Sequence, residues 1–243
     1  MEAAYKRSFP RFARTAAFGL TLGLVLAPVL LVAAMVCFPA GHAGVAGGYS
    51  FSRHVVSDLG RTVLSNGTPN PVARALFVAA MAVSALGTGI FWVGRGWLLE
   101  HPAARGAVWI CGLAMSACLT GIGLTPLDRA ESVHDPITAG AAYTAAGAVL
   151  ALALEPRDRL ERIGAKRVWL AILLPLGIGW AILVALHHAH RLAFRPWLPL
   201  GQKTLIAAFI GWLVYQNARL WRAPAAAGTS PRTARDRVPD RAV

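Results

Sequence analysis

Apolar runs of about 20 residues that carry almost no charge recur along most of this 243-residue chain. A helix of that length just crosses the roughly 30 Å hydrocarbon core of a membrane, at 1.5 Å per residue. Six runs have this length, and they cover residues 16–38, 71–94, 106–126, 136–154, 167–186 and 199–219. The sequence therefore predicts an all-α, polytopic membrane protein with a bundle of six transmembrane helices.

The composition excludes several other classes of protein. Hydrophobic residues make up 56% of the chain and charged residues 14%, against about 25% charged residues in an ordinary globular protein. A water-soluble enzyme with a conventional core, a coiled coil and a disordered chain are all excluded on this ground. The net charge of +13 would indicate nucleic-acid binding in a soluble protein, but here its distribution fits a membrane topology, and we expect no nucleic-acid partner.

The positions of the basic residues predict the orientation. With six spans, 17 of the 24 Lys and Arg residues lie on the side that holds both ends of the chain, and seven lie on the other side. The positive-inside rule assigns the richer side to the cytoplasm. We therefore predict a multi-pass protein of the cell membrane, a bacterial inner or plasma membrane, with both termini cytoplasmic.

Two short ends flank the predicted membrane domain, which covers residues 16–219. Residues 1–15 form a basic N-terminus, and the apolar run after it is longer than the 7 to 15 residues of a secretory signal core, so we interpret it as the first span. Residues 220–243 mix Ala, Pro, Arg, Asp and Thr without apolar periodicity, which is typical of a disordered tail. The expected partners of these basic ends are membrane lipids with anionic headgroups at the cytoplasmic face.

Helix starts are indicated by a capping residue followed by proline. Asn70 before Pro71 predicts the start of the second span, and Asp135 before Pro136 predicts the start of the fourth. Both helices would begin on the extracytoplasmic face.

Candidate functional residues collect in loops one, three and five, which this topology brings together on the extracytoplasmic face. No charged residue lies near the middle of any span, so the usual signature of a proton relay or an ion pump is missing. The polar loops are therefore the main indication of function.

Loop one is predicted to form a short interfacial helix, because Phe51, Val55 and Leu59 recur at helical spacing. Its opposite face would carry three polar residues, and the glycine that follows would turn the next arginine back toward them. The polar residues are His54, Ser57 and Asp58, followed by Gly60 and Arg61. Ser57 and Asp58 are candidate catalytic residues, and turn chemistry is the alternative interpretation.

Loop three places three carboxylates and one imidazole within eight positions: Asp128, Glu131, His134 and Asp135. Such a set can bind a divalent metal such as zinc, or supply an acid and a base for hydrolysis. The alternatives are that Asp135 is only a helix cap and that His134 only hydrogen-bonds a loop carbonyl.

Loop five begins with a histidine cluster that contains His187 and His190. Three residues apart on a helix, these two can face the same way and hold one metal or, with His134, one haem edge. The alternative is electrostatic, because cationic side chains are favoured at a helix C-terminus.

Several short motifs resemble the DUF 998 family of prokaryotic membrane proteins, over roughly residues 20–218. They are Ser57-Asp58-Leu59-Gly60-Arg61, then Asn70-Pro71 with Phe77, then Gly123-Leu124-Thr125-Pro126-Leu127-Asp128 and His134. The resemblance, which extends more distantly to Frag/DRAM/Sfk-type proteins, implies six spans. It also implies a polar extracytoplasmic cluster that includes Ser57, Asp58, Gly60, Asp128 and His134, and it implies no activity.

Three main functions compete on this evidence. The first is a non-enzymatic membrane protein whose polar cluster binds a lipid headgroup, a small ligand or a partner, with Arg61, Arg129 and Arg191 available for a phosphate. The second is a metal-assisted hydrolase of lipid-linked substrates at the outer leaflet. Its metal ligands would be His134, His187 and His190, with Asp58 or Asp128 as the base. The third is a small permease, and haem binding is a further alternative.

Overall fold

The computed structural model describes residues 2–152, 171–173, 175–179, 182 and 197–221, with side chains from residue 14 onward. Five long helices dominate these ranges: α1 (Glu2–Val36), α2 (Pro71–Trp97), α3 (Pro102–Leu124), α4 (Glu131–Ala151) and α5 (Leu198–Trp221). Two short 3-10 helices, His42–Gly44 and Val56–Gly60, lie in the connection between α1 and α2. Among these residues the strand-like pairing is limited to one isolated bridge between Val63 and Pro69.

Within the described ranges, four helices are long and apolar enough to cross a membrane, by length and composition. They are Arg14–Val36 within α1, and the whole of α2, α3 and α5. The prediction of an all-helical chain with several potential membrane spans is thereby confirmed. The predicted fourth span is helical as α4, which is not among the four apolar helices, and most of the predicted fifth span, 167–186, lies outside the described residues.

The helices pack mainly in chain order. α1 packs on α2, α2 on α3 and α3 on α4, while α5 returns to contact α1. α1 and α2 approach most closely at two glycines: a Cβ added to Gly87 would lie 3.1 Å from the Cα of Gly23. Small residues allow backbones to come this close, which is the usual way that membrane helices gain packing energy.

Buried side chains form two clusters. One lies in the half of the bundle away from the α1–α2 connection and contains Phe91, Trp92 and Trp212, with the two indole rings 5.7 Å apart. The other lies at the end next to that connection, and there Leu59 packs with Phe38 and Phe77. The connection between α1 and α2 therefore contributes to the core and does not simply cross the surface.

The helix starts differ in part from the predicted ones. α2 begins at Pro71 as predicted, but Asn70 makes no capping bond to the helix. Its Nδ2 donates to the carbonyls of Leu59 and Arg61, and its buried Oδ1 has no hydrogen-bond partner among the described residues. α4 begins at Glu131 and runs through Pro136. The prediction that Asp135 caps this helix is therefore wrong.

The α1–α2 connection also differs from the predicted interfacial helix. Its helix has only five residues, Val56–Gly60, and all five are buried. A two-faced helix at the interface would expose its polar side, whereas Ser57 and Asp58 are only 6% exposed. These polar groups are covered because the rest of the connection folds over them.

Candidate functional site

Residues 37–70 form a compact polar structure over one end of the bundle, which we call the cap. Its interior contains four rings packed edge-to-face or at a tilt, and neighbouring ring centroids lie 5.1 to 5.8 Å apart. The rings belong to Phe38, His42, Tyr49 and His54. Aromatic packing of this kind adds stability beyond the area that it buries, so the cap is an ordered element.

Asp58 is the central acceptor of the cap. Its Oδ2 accepts the backbone N–H of Val55 at 3.0 Å, and its Oδ1 accepts Arg61 Nε at 2.7 Å and lies 3.4 Å from His42 Nε2. Burial alone would raise the pKa of this carboxyl group. The hydrogen bonds from His42 and Arg61, together with the charge of Arg61, outweigh burial and hold the pKa below its ordinary value.

His42 connects Asp58 to the surface of the cap. While its Nε2 faces Asp58, its Nδ1 lies 3.2 Å from both the backbone nitrogen and the Oγ of Ser65. His42 is buried and Ser65 is exposed. The imidazole therefore bridges a buried carboxylate and an exposed hydroxyl group.

His54 has a structural role. Its Nδ1 accepts the backbone N–H of Ser50 at 3.0 Å, and its Nε2 lies 3.3 Å from the carbonyl oxygen of His42. Burial lowers the pKa of this imidazole more than the His42 carbonyl and the charge of Asp58 raise it. Both nitrogens are used in holding the cap together, so neither is free for a ligand.

Two residues of α5 fasten the cap to the bundle. Lys203 Nζ donates to the carbonyl of His54 at 2.5 Å and lies over the rings of Tyr49 and Phe51. Its neighbour Gln202 accepts the backbone N–H of Val56 at 2.8 Å through Oε1. The Tyr49 hydroxyl donates to the same His54 carbonyl, and burial, followed by the charge of Asp58, raises its pKa.

Asp128 joins loop three to the cap. It accepts the backbone N–H groups of Thr62 and Val63 at 2.9 and 3.2 Å and also a short hydrogen bond from the Thr62 hydroxyl. Burial would raise its pKa, but these hydrogen bonds lower it further than burial raises it. The structure therefore brings loops one and three together, and Arg61 and Arg129 are the chain neighbours of the bonded residues Thr62 and Asp128.

His134 lies in the first turns of α4 and is 1% exposed. Its Nδ1 lies 2.6 Å from the carbonyl oxygen of Thr125, which is the loop-carbonyl contact that one interpretation of the sequence predicts. Its buried Nε2 has no hydrogen-bond partner among the described residues. The other predicted metal ligands, His187 and His190, and the predicted phosphate ligand Arg191 lie outside the described residues.

In the part of the chain that the structure describes, no three His, Cys, Asp or Glu side chains are grouped so that they could hold a metal ion. Asp58 and Asp128 are both bound by groups of the cap, and neither lies beside His134 in a shared set of ligands. The described residues alone therefore do not form a metal centre.

Below the cap lies a cavity of about 260 Å³ between the helices. Its wall is almost entirely apolar, with side chains such as Leu24, Met115 and Phe209, and the alanines of α4 line one side. Val56 and Ser57 of the cap and Gln202 of α5 also line it. The cap is thus the polar roof of an apolar chamber.

Four residues of this site are absent from the sequence-based candidates: His42, Ser65, Gln202 and Lys203. Lys203 carries a signal in the sequence, because a lysine a little more than one turn inside an apolar helix needs a polar partner. His42 and Ser65 carry none, since only the folding of the cap brings them together.

Comparison of the chain with family models, with curated proteins and with solved structures finds no match. The resemblance to the DUF 998 family therefore stays a prediction. The fold and the cap define a helical protein whose described residues include four helices long and apolar enough to cross a membrane, with a polar cap over an apolar cavity.

Proposed function

We propose that this protein is a six-span integral protein of the cell membrane, with both termini cytoplasmic, that binds a membrane lipid. The lipid chain occupies the cavity and the headgroup lies against the cap on the extracytoplasmic side. The charge bias of the loops supports the orientation, and the resemblance to the DUF 998 family supports the number of spans.

The observation that carries this proposal is the apolar cavity directly below a polar cap. An apolar cavity offers water too few hydrogen-bond partners to hold it. In a membrane the abundant apolar molecules are lipid chains, and a chain in the cavity would extend the contacts of the surrounding side chains. A ligand placed in this way has its polar end at the cap.

The arginines at the contact between loops one and three provide the interaction with a headgroup. The Nε–H of Arg61 donates to Asp58. Its terminal N–H groups make no hydrogen bond to a described residue, and its side chain is 25% exposed. Arg129 is exposed close by. Two guanidinium groups on one surface are suited to a phosphate, which accepts paired hydrogen bonds.

The lipid that stays bound to protein purified in mild detergent tests this proposal. We expect mass spectrometry to find about one tightly held lipid per chain, and we expect Ala145→Trp, which fills the cavity, to remove it. Ala117→Trp is the matched control, because Ala117 is exposed on α3 and does not line the cavity. Equal lipid content in the two variants would contradict the proposal.

Three arginine variants test the headgroup site separately. Arg61→Glu and Arg129→Glu should each reduce the fraction of phosphate-containing lipid bound, whereas Arg53→Glu, at an exposed cap position, should leave it unchanged. Unaltered lipid composition in both of the first two variants would remove these arginines from the site.

One observation favours the metal-assisted hydrolase as a second candidate. His134 has its Nδ1 fixed by a backbone carbonyl and its Nε2 buried without a described partner, which is how metal-binding histidines are commonly held. This candidate requires about one metal per chain in the purified protein and its loss in His134→Ala. Elemental analysis that finds no stoichiometric metal in the unaltered protein would eliminate it.

A further inference from the structure

A hydrogen-bonded series leads from the buried centre of the cap to its surface. The Asp58 carboxylate faces His42 Nε2 at 3.4 Å, and His42 Nδ1 faces the Ser65 Oγ at 3.2 Å. A carboxylate, an imidazole and a hydroxyl group in this order are the components that activate a serine for attack on a carbonyl carbon.

The backbone fixes the tautomer of His42. The N–H of Ser65 lies 3.2 Å from Nδ1, and because a backbone N–H can only donate, Nδ1 must carry the lone pair. The ring proton is therefore on Nε2, where it points at Asp58. The single lone pair of Nδ1 thus faces both the backbone N–H and the hydroxyl group of Ser65, and this is the atom that would accept the hydroxyl proton as a general base.

Asp58 is fixed in place where it can position His42. Its side chain is only 8% exposed, and the Val55 N–H and Arg61 Nε fix both of its oxygens. Those contacts keep the carboxyl group ionised at neutral pH. A fixed carboxylate beside Nε2 holds the ring in the orientation that turns Nδ1 toward Ser65.

Ser65 is exposed, and its Oγ accepts the backbone N–H of Ala43 at 2.9 Å. Ala43 is the one described non-glycine residue with a positive φ, +50°, which costs an alanine roughly 1 kcal/mol. Strain of this kind is often found at functional sites. Since Oγ accepts from Ala43, its own proton is free to point at His42 Nδ1.

From this geometry we propose that the cap is also an esterase site, in which Ser65 is the nucleophile, His42 the general base and Asp58 the residue that positions His42. The substrate class is a carboxylic ester reached from the cap side of the membrane. This activity is separate from lipid binding in the cavity, and it needs no metal.

The reaction balances without a further reactant. Ser65 Oγ bonds to the carbonyl carbon while its proton passes to His42 Nδ1, and the electron pair of the C=O bond moves to the oxygen. The electron pair on the oxyanion then re-forms the C=O bond while the C–O bond to the leaving group breaks, and Nδ1–H gives its proton to the departing alkoxide oxygen, which leaves as the alcohol. Water repeats the sequence on the acyl-Ser65 and releases the carboxylic acid.

A donor for the developing oxyanion lies next to the nucleophile. The backbone N–H of Asn66 donates to no described residue, and the N–H of the residue after the nucleophile is a frequent oxyanion donor. The neighbouring Gly67, at φ +85°, forms the turn that keeps this segment exposed.

A fluorophosphonate probe tests the proposal on the purified full-length protein. Attack by Ser65 forms an Oγ–P bond and expels fluoride, with the proton passing to His42. We expect peptide mass mapping to find the phosphonyl group on Ser65 and no labelling in Ser65→Ala. Ser52→Ala, at another exposed serine of the cap, should be labelled like the unaltered protein.

His42→Asn separates catalysis from folding. The asparagine oxygen lies close to the position of Nδ1 and can still accept the Ser65 N–H, but it cannot take a proton. We expect this variant to be labelled at least about 100-fold more slowly than the unaltered protein. We also expect it to elute from gel filtration like the unaltered protein. Labelling of this variant at the original rate, or an unlabelled Ser65 in the unaltered protein, would overturn the proposal.

Two substrates distinguish the source of the ester. One arm measures hydrolysis of p-nitrophenyl acetate, a water-soluble ester, and the other measures fatty acid released from phosphatidylcholine vesicles that contain the protein. Turnover in either arm that is lost in Ser65→Ala supports the esterase and identifies its source. Absence of turnover in both arms contradicts it, whatever the lipid content of the cavity.

Discussion

At the scale of single residues, Asp58 holds the folded cap together. One buried carboxylate connects the two residues that flank its own short helix, Val55 and Arg61, with His42 from an earlier part of the cap. Hydrogen bonds to a charged group contribute more than neutral ones, about 1.5–3 kcal/mol each. Loss of this charge should therefore affect the whole cap.

We predict that Asp58→Asn lowers the free energy of unfolding by about 2 kcal/mol at neutral pH. The folded pKa of Asp58 is depressed, so its contribution is complete above the unfolded value of about 4 and is lost as the pH falls through the folded pKa. Thermal unfolding in detergent between pH 7 and pH 3 should show this acid-dependent part in the unaltered protein and a smaller one in the variant. Identical pH profiles would contradict the role of Asp58.

Gly60 is a second position of this kind, because an added Cβ atom would disturb the packing. A Cβ at this residue would lie 2.7 Å from two ring carbons of Phe77, and Phe77 is itself buried. We predict that Gly60→Ala costs about 1–3 kcal/mol of stability. Gly47→Ala, where a Cβ would meet nothing within 4 Å, should change the unfolding temperature little, and equal effects of the two would refute this reason.

At the scale of elements, α5 holds the cap in place through two adjacent side chains. Gln202 and Lys203 each bond a backbone group of the cap, and these contacts link residues more than 140 positions apart in the sequence. Because the same cap roofs the cavity, its attachment to α5 also determines access to the chamber.

We predict that Gln202→Ala and Lys203→Met each loosen the cap by about 1–3 kcal/mol, since each leaves a cap backbone group without its α5 partner. Hydrogen–deuterium exchange should rise across residues 50–60. Thr204→Val is the control, because the Thr204 hydroxyl bonds only within its own helix in the described structure. Unchanged exchange in both test variants would show that α5 does not restrain the cap.

The sequence predicts the long helices well because membrane thickness imposes their length. It misplaces the start of α4 because Asp135 before Pro136 satisfies the capping pattern equally well one turn inside a helix that Glu131 begins. The turn of Arg61 toward Asp58 is predictable, since the two are three residues apart. The contacts of His42 and Lys203 are not, since they depend on how the cap folds on the bundle.

At the scale of the whole molecule, orientation decides the meaning of every other feature. The proposed headgroup site and the proposed esterase site both involve the cap, and the charge bias predicts that the cap lies on the extracytoplasmic side. An inverted molecule would present the same residues to the cytoplasm and to a different lipid leaflet. The interpretation of both sites therefore depends on the side of the membrane on which the cap lies.

Labelling of single cysteines with an impermeant maleimide in intact cells determines this orientation directly. In a variant without Cys37, Cys111 and Cys118, we would introduce Ser132→Cys at the start of α4 and, separately, Ala103→Cys at the start of α3, both exposed positions. With the cap on the extracytoplasmic side, we predict that the cysteine at position 132 reacts in intact cells and that the one at position 103 reacts only after permeabilisation. The opposite pattern would contradict it and place the cap in the cytoplasm.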